Sequence, residues 1–138
     1  MALHPRVLAD LLDIEVEQAQ ARLGPRAGDL RREGSSLLMT LRPPAGGTRT
    51  LRLDGSRYDA EPFDVALVDD AGDVLPLDQW IPGFAHGIHS SLGVPWVCVS
   101  GTRAYYAHES HYGERWDAVR YALRADSLLD RLLTKVGL

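Results

Sequence analysis

Near the start of the chain, apolar residues recur at helical spacing. Val7, Leu8, Leu11, Leu12, Ala19 and Leu23 fall near one stripe, with Asp13, Glu17 and Gln20 elsewhere. The spacing predicts an amphipathic helix over residues 5–23. Pro5 suits its first position, where a missing N–H costs nothing, and Gly24-Pro25 stops it. The period then changes. Residues 35–43 (SSLLMTLRP) are an apolar run and 43–47 read as a turn. Residues 48–55 (TRTLRLDG) alternate polar and apolar side chains, the mark of a strand with one buried face. Together these predict a hairpin, with Arg49 and Arg52 on a solvated face. An extended segment over 58–62, a strand over 63–68 and a polar turn over 69–73 follow. The acids of that turn, Asp69, Asp70 and Asp73, lack the spacing and closing glutamate of a calcium loop.

Residues 74–97 are loop-rich, with Pro76, Pro82 and Pro95 restricting their neighbours and Trp80 and Trp96 expected to pack the loop onto the body. Residues 94–99 are a short apolar run that carries Cys98, a strand or its end. A last helix is predicted from a cap at Asp126-Ser127 through Leu128, Leu129, Leu132, Leu133 and Val136 to Gly137. Helix, antiparallel strands, a long loop and helices make an α+β layer arrangement.

Composition narrows the classes. A chain of 138 residues reads as a single domain, 1–138, long enough to bury a sizeable core. Its net charge of −4 argues against a general nucleic-acid binder, which needs a basic face to displace counterions. No apolar run approaches the ~20 residues of a membrane span, so no membrane partner is expected. The N-terminus lacks the pattern of a signal peptide, and one cysteine cannot form an internal disulfide. A cytoplasmic location is therefore expected.

Candidate chemistry is concentrated between His86 and Trp116, which hold four of the five histidines and the only cysteine. Cys98, His108 and His111 are residue types of a soft transition-metal site, and zinc is the natural occupant. The two histidines of the HxxH pair would lie on one side of a helical turn. Two other readings stand beside this one. A cysteine between valines is most often a small buried hydrophobe, and Cys98 could instead be a nucleophile.

The order of elements and several residues resemble the ubiquitin-conjugating enzyme family. Tyr58-Asp59-Ala60-Glu61-Pro62 is similar to its Tyr-Pro-x-x-Pro-Pro segment. His89, Gly93 and Cys98 resemble its His-Pro-Asn…Gly…Cys stretch, and Trp116 with Leu128-Leu129…Leu132-Leu133 resembles its Trp-x-Pro segment and the helix behind it. His89 is followed by Ser90-Ser91, so the family's proline and its oxyanion-stabilising asparagine are absent. The longer stretch from Cys98 to Trp116, with His108 and His111, resembles the predicted metal-binding family named for its Cys, Glu, His and His. That family is associated with bacterial operons for ubiquitin-like conjugation.

This second resemblance implies a ubiquitin-conjugating-enzyme-like fold and a zinc-binding accessory protein, non-catalytic, with a ubiquitin-like modifier or its activating and conjugating proteins as partners. It also implies a place in antiphage defence. Cys98, His108 and His111 carry over as ligands, with Glu109 taken as the glutamate. Glu61, Glu114, His86, His89 and water stay open for the fourth position, since residues 99–107 contain no glutamate. The alternative that the first resemblance implies is an enzyme carrying the modifier as a thioester on Cys98, polarised by His89 or His108.

Overall fold

The computed structural model describes residues 3–138. It opens on helix α1, Pro5–Leu23, with Pro5 in its first turn and the His4 ring accepting from the Arg6 amide at 3.2 Å. Gly24 closes the helix at φ 57°, a left-handed conformation that glycine adopts without steric cost. Leu8, Leu12, Glu15, Ala19 and Leu23 line the buried face. Two positions depart from the predicted stripe. Val7 is exposed, because the face is centred on Leu8 and Leu12, and the buried set includes a glutamate.

Four strands follow as a consecutive antiparallel meander: β1, Arg31–Glu33; β2, Ser36–Leu41; β3, Arg49–Asp54; and β4, Asp64–Val68. Register matches the apolar pattern. Leu37 faces Leu53 and Met39 faces Leu51 across β2–β3, while Leu53 faces Val65 and Leu51 faces Leu67 across β3–β4. These side chains share one face, because alternate residues of a strand point the same way. β1 is an addition to the predicted hairpin. The other face is less open than expected at Arg52, whose Nη1 donates to the Gly72 carbonyl at 2.9 Å and whose Nε is buried.

The segment expected to be extended at 58–62 is instead a tight turn. The Glu61 amide donates to Arg57 O at 2.9 Å, and Asp59 takes φ 73°. Its carbonyl is thereby turned toward the C-terminal half, where it accepts from Trp116 Nε1 at 3.0 Å. After β4 comes the loop region with Trp80 and Trp96 both buried, as predicted. Regular structure at 94–99 shrinks to the two-residue strand β6, Pro95–Trp96, paired with β5, Gly87–Ile88. Short helices α2, Arg103–Ala107, and α3, Trp116–Val119, lead to α4, Ala125–Lys135.

α4 starts one residue before the predicted cap, and Arg124 at its N-cap makes no side-chain capping bond. Leu128, Leu129, Leu132, Leu133 and Val136 are buried where α4 packs on α1, and they share one continuous core with the inner sheet residues. The fold is α+β: N-terminal helix, four-stranded antiparallel sheet, C-terminal helix. Among the described residues, no helix is long and apolar enough to cross a membrane.

Candidate thiol site

Cys98 leaves the core two residues after β6. Trp96 and Val97 are buried, whereas Cys98 is half-buried and is a free thiol. The chain then turns sharply, with the Val99 amide on Val97 O at 3.0 Å. Thr102 ends this turn and caps α2. Its hydroxyl donates to Val99 O at 2.9 Å and accepts from the Tyr105 amide at 3.3 Å. A threonine oxygen at this position satisfies an amide that the first helical turn would leave unpaired. The Arg103 amide bonds Phe63 O at 2.8 Å, so the start of α2 is fixed to the sheet.

His111 follows α2 in a single 3₁₀ turn, Glu109–His111. Its ring lies flat on the Tyr105 ring, with centroids 3.7 Å apart and planes 16° from parallel. Nε2 faces Cys98 Sγ at 3.7 Å, and Nδ1 meets Glu114 Oε2 at 2.7 Å. The Tyr105 hydroxyl shares its proton between the two Glu114 oxygens at 2.8 and 2.9 Å. This bond, and the one from His111, hold the Glu114 carboxyl below its usual range. The same bond to Glu114 pushes the Tyr105 phenol up to about 12. Glu114 is therefore an anion that requires a proton on Nδ1 of His111. The neutral imidazole then has its lone pair on Nε2, toward the thiol.

The sign of the pH effect follows from these directions. Glu114's folded pKa is depressed, so its contribution to stability is present above the unfolded carboxyl range and is lost as pH falls through the folded value. Tyr105's is raised, so its contribution holds below the ordinary tyrosine pKa and is lost as pH rises through about 12. Glu114→Ala should return the titration of one tyrosine toward its ordinary value. A difference absorbance titration of tyrosinate checks this, and an unchanged curve would show that the hydroxyl does not depend on Glu114.

Of the residues singled out in the sequence, the fold brings Cys98, His111 and Glu114 together. The other histidines are engaged elsewhere. His108 Nδ1 accepts from the Ser110 amide at 3.2 Å and meets Ser110 Oγ at 2.7 Å, while its ring stacks on Trp96. The two rings of the HxxH pair are neighbours, with centroids 6.3 Å apart, but each packs on a different partner. His89 is buried and has both nitrogens committed. Nδ1 accepts from the amides of Ser91 and Leu92, each at 3.0 Å, which leaves the proton on Nε2 to reach Ala104 O at 2.9 Å. It closes the 89–92 turn and ties it to α2. His86 is exposed, edge-on to Trp96; Glu109 is exposed on the 3₁₀ turn; Glu61 pairs with Arg57 at 3.3 Å.

Among the described residues, no three His, Cys, Asp or Glu side chains are grouped as a metal would need. The chain supplies two neighbouring donors, Cys98 and His111. Zinc bonds of the usual length would put sulfur and nitrogen about 3.5 Å apart on a tetrahedral edge, close to the observed separation. Tyr105 was not foreseen. Its signal in the sequence is the Tyr105–His111–Glu114 spacing, which has meaning only once α2 and the following turn are placed.

The thiol opens onto a shallow groove of about 530 Å³ between the loop and α4, lined by Ser100, Tyr105, Arg131 and Lys135. Arg131 ties the two walls together. Its Nη1 donates to Ser100 O at 2.6 Å and to Ser100 Oγ at 3.0 Å. No protein-family model matches the chain, and no curated protein sequence matches it significantly.

Proposed function

We propose that Cys98 is the working thiol of a ubiquitin-conjugating-enzyme-like protein that carries the acyl end of a ubiquitin-like modifier as a thioester. The observation that supports this is the chain Cys98 Sγ, His111 Nε2, His111 Nδ1, Glu114 carboxylate. A thiol needs its proton removed as it attacks, and an adjacent base oriented by a third group does this. Cys98 Sγ would add to the carbonyl carbon of a modifier held as a thioester on an activating protein. Its proton passes to His111 Nε2 while the Sγ–C bond forms. The tetrahedral centre then expels the activating protein's sulfur, which takes the proton from His111. In the second half an acceptor amine attacks, loses a proton to His111 and releases Cys98 as the thiol. Glu114 stabilises the imidazolium in both halves. His89 takes no part in this scheme, because its nitrogens hold the loop.

The test uses the single cysteine. Alkylation by iodoacetamide, read by mass spectrometry, reports Cys98 alone. His111→Ala should slow it roughly a hundredfold, the scale of a positioned base. Equal rates in wild type and variant would sink the thiol reading. With a cognate activating enzyme and modifier, a hydroxylamine-labile adduct should form on the wild type and be absent from Cys98→Ser.

A zinc-binding accessory role is the second reading, favoured by the Sγ–Nε2 separation and by Glu114 as an outer carboxylate on the ligating imidazole. As arranged, the residues supply two donors rather than a closed set, and His108 would have to exchange its Ser110 bonds to join them. Elemental analysis separates the readings. About one zinc per chain, with Cys98 protected from alkylation until a chelator is added, would establish the metal reading over the thiol one.

A further inference from the structure

We infer that Tyr105 is the positioning residue of this site: its ring sets the plane of His111, and its hydroxyl fixes Glu114, which selects the tautomer of His111. The inference rests on the thiol reading above and adds the part that holds the base in place. His111 and Glu114 both sit beyond α2. One belongs to a single 3₁₀ turn, and the other is an exposed residue between that turn and α3. Neither element dictates a side-chain direction. The imidazole torsion is broad and roughly two-fold, so a free ring could present either nitrogen to the thiol.

Tyr105 removes that freedom in two ways. Its ring covers one face of the imidazole at 3.7 Å, which fixes the plane of that ring. Its hydroxyl bonds both carboxylate oxygens of Glu114, so the anion stays where only Nδ1 can meet it. Tyr105 can act as the template because α2 is itself held on three sides. Thr102 caps its first turn, Phe63 O holds the Arg103 amide, and His89 Nε2 donates to Ala104 O. The sheet thereby sets Tyr105, Tyr105 sets His111 and Glu114, and these set the lone pair toward Cys98.

The experiment compares wild type, Tyr105→Phe, Tyr105→Leu and His111→Ala in the full chain. Two readouts are taken: the His111 tautomer from long-range ¹H–¹⁵N spectra, and the rate of Cys98 alkylation. Wild type should show the Nδ1–H tautomer alone. Tyr105→Leu, without ring or hydroxyl, should show both tautomers and react roughly tenfold more slowly, within the range that misplacement of a reacting group costs. Tyr105→Phe keeps the ring and should fold, yet the second tautomer should appear and the rate should fall by a smaller factor. A Phe variant indistinguishable from wild type in both readouts overturns the inference, provided His111→Ala is slow. If His111→Ala itself reacts like wild type, the thiol reading beneath has failed, and the inference falls with it.

Discussion

Leu12→Asp and Leu129→Asp should each abolish folding at room temperature. Both side chains are fully buried, one on α1 and the other on α4, in the seam where the helices pack. Each substitution removes a large apolar side chain and leaves a carboxylate with no partner. The first loss is about 2–5 kcal/mol, and the buried unpaired group adds several more. A domain of this size has about 5–15 kcal/mol in total, so either change consumes most of it. Ile14→Asp is the control. Ile14 is 48% exposed on the same helix, and a surface change there should stay within about 0.5 kcal/mol. Circular dichroism melts of the three variants check this. A near-native melting temperature for Leu12→Asp would mean that α1 does not pack as described.

Arg124→Ala should cost about 3–5 kcal/mol, the scale for removing one member of a buried ion pair. Glu15 is only 3% exposed, in the middle of the α1 core face. Arg124 Nε reaches its Oε1 at 3.2 Å, and Nη1 reaches Asp59 Oδ1 at 2.8 Å. The guanidinium also lies over the Tyr58 ring at 4.8 Å, and the Tyr58 hydroxyl donates to Glu15. Burial, then the neighbouring Glu15 charge, push the Tyr58 phenol well above its ordinary value, so it stays a donor. Without Arg124 the carboxylate keeps Tyr58 and the Ala125 amide but has no cation. Replacing Glu15 and Arg124 together by leucine should cost much less than Arg124→Ala alone, because no charge is left buried. Urea midpoints of the single and double variants measure the difference. A double variant as unstable as the single one would show that the arginine acts through packing alone.

Glu15 also shows what the sequence pattern does not carry. The limits of α1 were legible, since a 3.6-residue apolar period, Pro5 and Gly24-Pro25 are local signals. The β2–β3 hairpin was legible for the same reason at period two. A buried glutamate cannot be read from the stripe, because its partners Tyr58 and Arg124 lie far along the chain and meet it only in the folded protein. The turn at 58–62 was hidden too. Its conformation is set by Trp116 and Arg124 bonding to Asp59, a tertiary demand that overrides an extended-looking segment. β1 is three polar or charged residues, with no period to find.

The site was legible as a neighbourhood but not as an arrangement. Cys98, His108 and His111 cluster in the sequence, and residue type alone makes both histidines equal candidates. The separation of their roles comes from whether the neighbour at Nδ1 donates a proton or accepts one. The Ser110 amide donates to Nδ1 of His108, which puts that ring's proton on Nε2, whereas the Glu114 carboxylate accepts from Nδ1 of His111 and leaves the lone pair on Nε2. Such assignments depend on ring orientation, which spacing does not encode.

The seam between α1 and α4 also sets the timing of folding during synthesis. Roughly a hundred residues separate Leu23 from Ala125, and at about 5–20 residues per second a ribosome needs some 5–20 s to make them. Through that interval the apolar face of α1 has no α4 to cover it, and Glu15 has no Arg124. The sheet can form strand by strand as it emerges, because each strand pairs with its predecessor. α1 must wait for α4. A nascent chain stalled before Ala125 should therefore expose Leu8 and Leu12 to chaperones and proteases, and release from that state should come with the last turns of α4.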